Sequence, residues 1–95
     1  MDASVAFLGR NASIMALVKQ QLTSVGYAAE GYMRDDELLA RMERGAIALL
    51  VLGGGVEDNS REVFRKICME KNIPLLEHFG GPDQLLENVR TALGK

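Results

Sequence analysis

Short apolar runs alternate with stretches in which apolar residues recur at helical spacing, and the alternation occurs four times along the chain. Val5-Ala6-Phe7-Leu8 is the first run and reads as a strand. Beyond it Asn11 or Ser13 can cap a helix carrying Ile14, Leu17, Val18, Leu22 and Val25 at helical spacing. Gly26 stops that helix, as a left-handed terminal residue does. Tyr27 to Met33 is a weaker strand holding Glu30 and Gly31. Asp35-Asp36-Glu37 then supplies a cap and first-turn acids for a short helix with Leu38, Leu39 and Met42, closed by Gly45.

The third run, Ala46 to Leu52, is apolar at every position, as a strand covered on both faces must be, and it belongs in the sheet centre. Gly53-Gly54-Gly55 follows, and Asn59-Ser60-Arg61-Glu62 opens a helix whose Val63, Phe64, Ile67 and Cys68 face inward. The charges on that helix, Arg61, Arg65, Lys66, Glu70 and Lys71, read as a solvated face. Asn72 ends it. Ile73 to Leu76 is the fourth strand, an edge by virtue of Pro74, and Pro82 starts a last helix carrying Leu85, Leu86, Val89, Ala92 and Leu93. Tight helix-to-strand turns with right-handed crossovers give a doubly wound α/β sandwich: a four-stranded parallel sheet of order 2-1-3-4 with helices on both faces. The order follows from polarity, because the first and third strands are uniformly apolar and the other two carry edge features. A ligand in such a sheet binds beyond the carboxyl ends of the first and third strands, where the winding reverses.

Composition narrows the picture further. At 95 residues, 47% hydrophobic and 25% charged, the chain suits one domain over residues 1–95. Eleven basic and thirteen acidic residues leave a net charge of -2, which argues against nucleic acid or an anionic membrane as a partner. One cysteine, Cys68, forms no internal disulfide and calls for no oxidising compartment. The amino terminus lacks an export signal and the longest apolar run is too short to span a bilayer, so a cytoplasmic setting is expected.

Gly9, Arg10 and Asn11 after the first strand and Gly53, Gly54 and Gly55 after the third line the expected crevice. Glycines let a backbone approach a ligand, and Arg10 can hold a phosphate or carboxylate; equally, the glycines can serve backbone conformation while Arg10 pairs with Glu57 or Asp58. His78, the only histidine, ends the fourth strand at the same edge. It reads either as a general base or, with no nucleophile at a recognisable spacing, as a surface or edge residue. Cys68 falls on an inward stripe and reads as a buried apolar group. Neither the glycine spacing nor the lysine of a phosphate-binding loop is present, and no catalytic set, metal site or cofactor is expected.

These segments together resemble a receiver domain of the bacterial response-regulator type. The resemblance rests on Val5 to Asn11, Leu22 to Tyr27, Ile47 to Leu52, Lys71-Asn72-Ile73-Pro74-Leu75 and Pro82-Asp83-Gln84-Leu85-Leu86, and so runs over nearly the whole chain. It implies a flavodoxin-like three-layer sandwich, shortened by one strand-helix unit between His78 and Gly81. The family's chemistry does not carry over. The phosphoacceptor aspartate at the end of the third strand is replaced by Leu52-Gly53, the metal-binding acids after the first strand by Gly9-Arg10, and the lysine before a proline by Gly81. A weaker likeness, to the dinucleotide-binding start of hydroxyacid dehydrogenases, rests on Val5 to Gly9, Met15 and Gly26-Tyr27 and lacks the middle glycines. Phosphocarrier and low-molecular-weight phosphatase types need a cysteine where Arg10 and Asn11 stand. The expectation is a non-enzymatic, receiver-like protein-interaction module, with a small anionic ligand or nucleotide at the switch point as the alternative. A homodimer through the fourth strand or its flanking helices is expected as well, because Leu75, Leu76 and Phe79 lie on or beside an edge left unpaired by the missing unit.

Overall fold

A computed structural model describes residues 4–78 and 82–93. In chain order the elements are β1 (Ser4–Leu8), α1 (Ala12–Ser24), β2 (Ala29–Tyr32), α2 (Asp35–Glu43), β3 (Ile47–Leu52), α3 (Asp58–Lys71), β4 (Leu75–Glu77) and α4 (Pro82–Ala92). The strands are all parallel and lie in the order β2-β1-β3-β4. Four strand-helix units and this order are what the hydrophobic pattern predicts. Phe79 and Gly81 lie outside the described residues.

Alternation along β1 and β3 sorts the core into two layers. Ala6, Leu8, Leu50 and Leu52 face α2 and α3, where Leu38, Met42, Phe64 and Cys68 meet them. Val5, Phe7, Leu49 and Val51 face α1 and α4, against Val18, Leu22, Leu85 and Val89. Two covered faces explain why Val5–Leu8 and Ile47–Leu52 are apolar at every position.

Local chemistry sets the element ends. Asn11 caps α1, its side chain accepting from the Ile14 amide at 3.1 Å, so of the two candidate caps Asn11 is the one used. Gly26 ends the helix at φ +96°, a conformation that costs other residues strain, and Asn72 closes α3 in the left-handed region. Ala46, expected in β3, also has a positive φ, which delays the strand to Ile47. Three further expectations are corrected. The residue before α2 is Arg34, with no side-chain cap bond; of the acids that follow, Asp36 accepts from the Glu37 amide at 3.0 Å inside the first turn. Ile14, Leu17 and Val25 of α1 and Val63 of α3 are exposed, because a four-stranded sheet covers only part of each helix face. Arg61, expected in solvent, is 3% exposed.

Candidate functional site

β1 and β3 lie side by side and end level, Leu8 opposite Leu52, so the loops that follow them face each other. The Gly53 amide donates to the Leu8 carbonyl at 2.9 Å and ties the two loops together. A Cβ on Gly53 would come within 3.3 Å of that carbonyl oxygen, so this glycine serves close backbone approach. Beyond these ends, on the α1/α4 side, lies a crevice of about 380 Å³. All seven residues expected at the site, Gly9, Arg10, Asn11, Gly53, Gly54, Gly55 and His78, line it. Phe7, Ile14, Met15, Val18, Val51 and Leu85 supply most of its remaining wall.

The polar members of the lining are engaged in specific ways. Arg10 Nη2 lies 2.8 Å from both Asp35 Oδ1 and Glu57 Oε1, and Nη1 donates to the Met33 carbonyl at 2.6 Å. Ser60 completes the cluster by donating to Asp35 and lying 3.3 Å from Arg10 Nη2. Glu57 and Asp35 raise the pKa of the guanidinium, and Arg10 in turn holds the Glu57 carboxyl below its ordinary range. Of the two readings open for Arg10, the pairing with Glu57 is present, with Asp35 as an additional partner. Asn11 is occupied as the helix cap.

His78 is buried, 7% exposed, which corrects the reading of it as a surface residue. Its amide donates to the Leu52 carbonyl at 2.9 Å, and its Nδ1 sits 3.0 Å from Asn88 Nδ2 on α4. Cys68 lies on the far side of the sheet from the crevice, in the α2/α3 layer, where burial pushes its thiol up to about 11.

Arg61 was not legible as a site residue. Its Nε donates to the Val56 carbonyl at 2.9 Å, another nitrogen reaches the Gly53 carbonyl, and Nη1 donates to Glu77 at 2.9 Å. It therefore braces both ends of the glycine loop and joins it to β4. Arg65 holds Glu77 from the outside at 2.7 Å and, with Arg61, keeps that carboxyl below its usual range. The only signal in the sequence is an arginine one turn into a helix that follows a glycine loop, and nothing in that spacing names its partners.

No family model matches the chain, and no curated protein matches it. Solved structures do match, among them the following two. One is the chemotaxis protein CheY4 of Vibrio cholerae, at 21% identity and a TM-score of 0.69, covering 99% of this chain and 82% of that one. The other is a de novo designed Rossmann 2x3 fold protein solved by NMR, at 20% identity and a TM-score of 0.68, covering 94% of this chain and 70% of that one. The chain has a receiver-like, flavodoxin-type fold. Within this receiver-like fold β3 ends on Leu52 and is followed by Gly53, neither of which has a side chain that can accept a phosphoryl group. The loop after β1 presents Arg10 inside its ion pairs. Among the described residues no helix is long and apolar enough to cross a membrane.

Proposed function

We propose that this chain is a non-enzymatic, receiver-like protein-interaction module that takes no phosphate. The observation that carries the reading is the Arg10 cluster: Arg10, Asp35, Glu57 and Ser60 satisfy one another at the strand ends, where the resembled family gathers acids around a metal ion. A guanidinium there repels a divalent cation and already pairs with both nearby carboxylates. The Leu52-Gly53 pair leaves no acyl phosphate to form. A receiver-like scaffold without this chemistry keeps its helical faces, and recognition of another protein is what such faces can still do.

The test is direct. Incubation with a small phosphodonor and magnesium leaves the intact mass unchanged, whereas a phosphorylated species seen by mass spectrometry overturns the reading. The alternative, a small anionic ligand or nucleotide held at the switch point by Arg10, requires the guanidinium to leave Asp35 and Glu57. It predicts anion binding that weakens on Arg10→Ala, and an anion bound equally by both forms removes it.

A further inference from the structure

The two faces of the sheet differ at the strand ends. On the α2/α3 side Arg10, Asp35, Glu57 and Ser60 close on one another and fill the space with ion pairs. On the α1/α4 side the space stays open as the crevice, and its wall is mostly hydrocarbon. Arg10 and His78 are the ionisable side chains among the lining residues described; the Arg10 guanidinium is committed to the other side, and the His78 ring is met by Asn88. The Asn11 oxygen is committed to capping α1.

These facts decide the class of ligand. An anion entering the crevice gives up hydration and meets no unengaged cation, which makes its burial unfavourable. An apolar body gains the free energy of removing its own surface from water, against a wall whose Phe7, Val18, Val51 and Leu85 are already nearly dry. The volume, about 380 Å³, falls within the roughly 300–1,000 Å³ of small-molecule sites. We propose that the crevice binds an uncharged small molecule with an aromatic or branched aliphatic body, set between Phe7, Met15, Val18, Val51 and Leu85, with its polar edge toward the Gly53–Gly55 loop. This inference stands apart from the interaction-module reading and replaces an anion with a neutral ligand at the switch point.

Indole is a suitable uncharged probe, and indole-3-acetate is the same ring system with a carboxylate. Each is titrated to millimolar concentration into the full chain carrying labelled valine and leucine methyl groups. Indole gives nuclear Overhauser contacts from its ring protons to Val18, Val51 and Leu85, and indole-3-acetate binds about tenfold or more weaker because its charge is uncompensated. Ile14→Trp narrows the mouth at a half-exposed position that the fold tolerates, and lowers indole affinity by about tenfold. Absence of contacts to those three residues, or contacts confined to other surfaces, overturns the proposal in the unmodified chain, whatever the variant does. Tighter binding of indole-3-acetate that disappears in Arg10→Gln overturns it in favour of an anion site.

Discussion

Arg61 shows how one side chain can set a functional loop. A buried guanidinium is tolerable only when its donors are met, and here two backbone carbonyls and the Glu77 carboxylate meet them. Arg61→Met keeps much of the stem but strands those acceptors, so the variant loses about 2–4 kcal/mol of stability, read from urea denaturation. A loss below about 1 kcal/mol would show that water replaces the guanidinium freely. Glu30 is the second such case. Arg41 donates to it at 2.6 Å and, with smaller help from the Tyr32 and Ser4 hydroxyls, lowers its pKa from 4.5 to about 2. A carboxyl depressed in the folded state contributes stability that is complete above its unfolded pKa and is lost as pH falls from 4.5 toward about 2. With the side chain 31% exposed, solvent screening leaves about 1–2 kcal/mol at neutral pH. Glu30→Gln removes that increment at pH 7 and changes little at pH 2; a constant difference across the range would mean that the charge is irrelevant. Neither arginine was legible beforehand, since a cation on a helix reads as solvated until its distant partner is known. Arg10 was legible because only a few acids could lie near its loop, and one of them, Glu57, proved to be a partner.

Elements were easier to read than residues, because the period of the apolar pattern depends on near neighbours while partner choice depends on the whole fold. β1 and β3 were legible as central strands since both faces are covered, and the sheet order followed from the polarity of β2 and β4. Helix faces were read too broadly. Val18 and Leu22 are buried, but Ile14, Leu17 and Val25 lie past the edge of what the sheet and α4 can cover. β2 illustrates a constraint that only packing shows. Gly31 pairs with Phe7, and a Cβ on it would lie 2.9 Å from the Phe7 ring, closer than real contacts allow. The ring is buried in the α1/α4 layer, so it cannot turn out of the way freely. Gly31→Ala costs about 1–3 kcal/mol, measured as a lowered unfolding midpoint, and an unchanged midpoint would mean that the layer repacks around the methyl group.

At the scale of the whole molecule, the open question is which surface meets a partner, and a second copy of the chain is the first partner to test. The β4 edge, expected from its unpaired backbone, is a modest candidate. Leu50 donates to the Pro74 carbonyl and His78 to the Leu52 carbonyl, so alternate residues from Pro74 onward point to β3 and only Leu75 and Glu77 present backbone groups outward. Pro74 therefore does not blunt the open edge, but its brevity and the Arg65–Glu77 pair beside it do. The α1 surface has more to bury away from the crevice mouth: Leu17, and Val25 just past the helix end, are each over 40% exposed and lie on one side of the helix. That side adjoins the buried α1/α4 seam, so pairing about a two-fold axis would extend an existing apolar layer. Sedimentation equilibrium at tens of micromolar is expected to give twice the 10.4 kDa chain mass. Leu17→Lys is expected to return the chain to a monomer, because it sets two cations face to face across the axis, while Leu76→Lys leaves the dimer intact. A dimer lost only in Leu76→Lys would return the interface to β4, and a single species at the chain mass at every concentration would reject self-association through either surface.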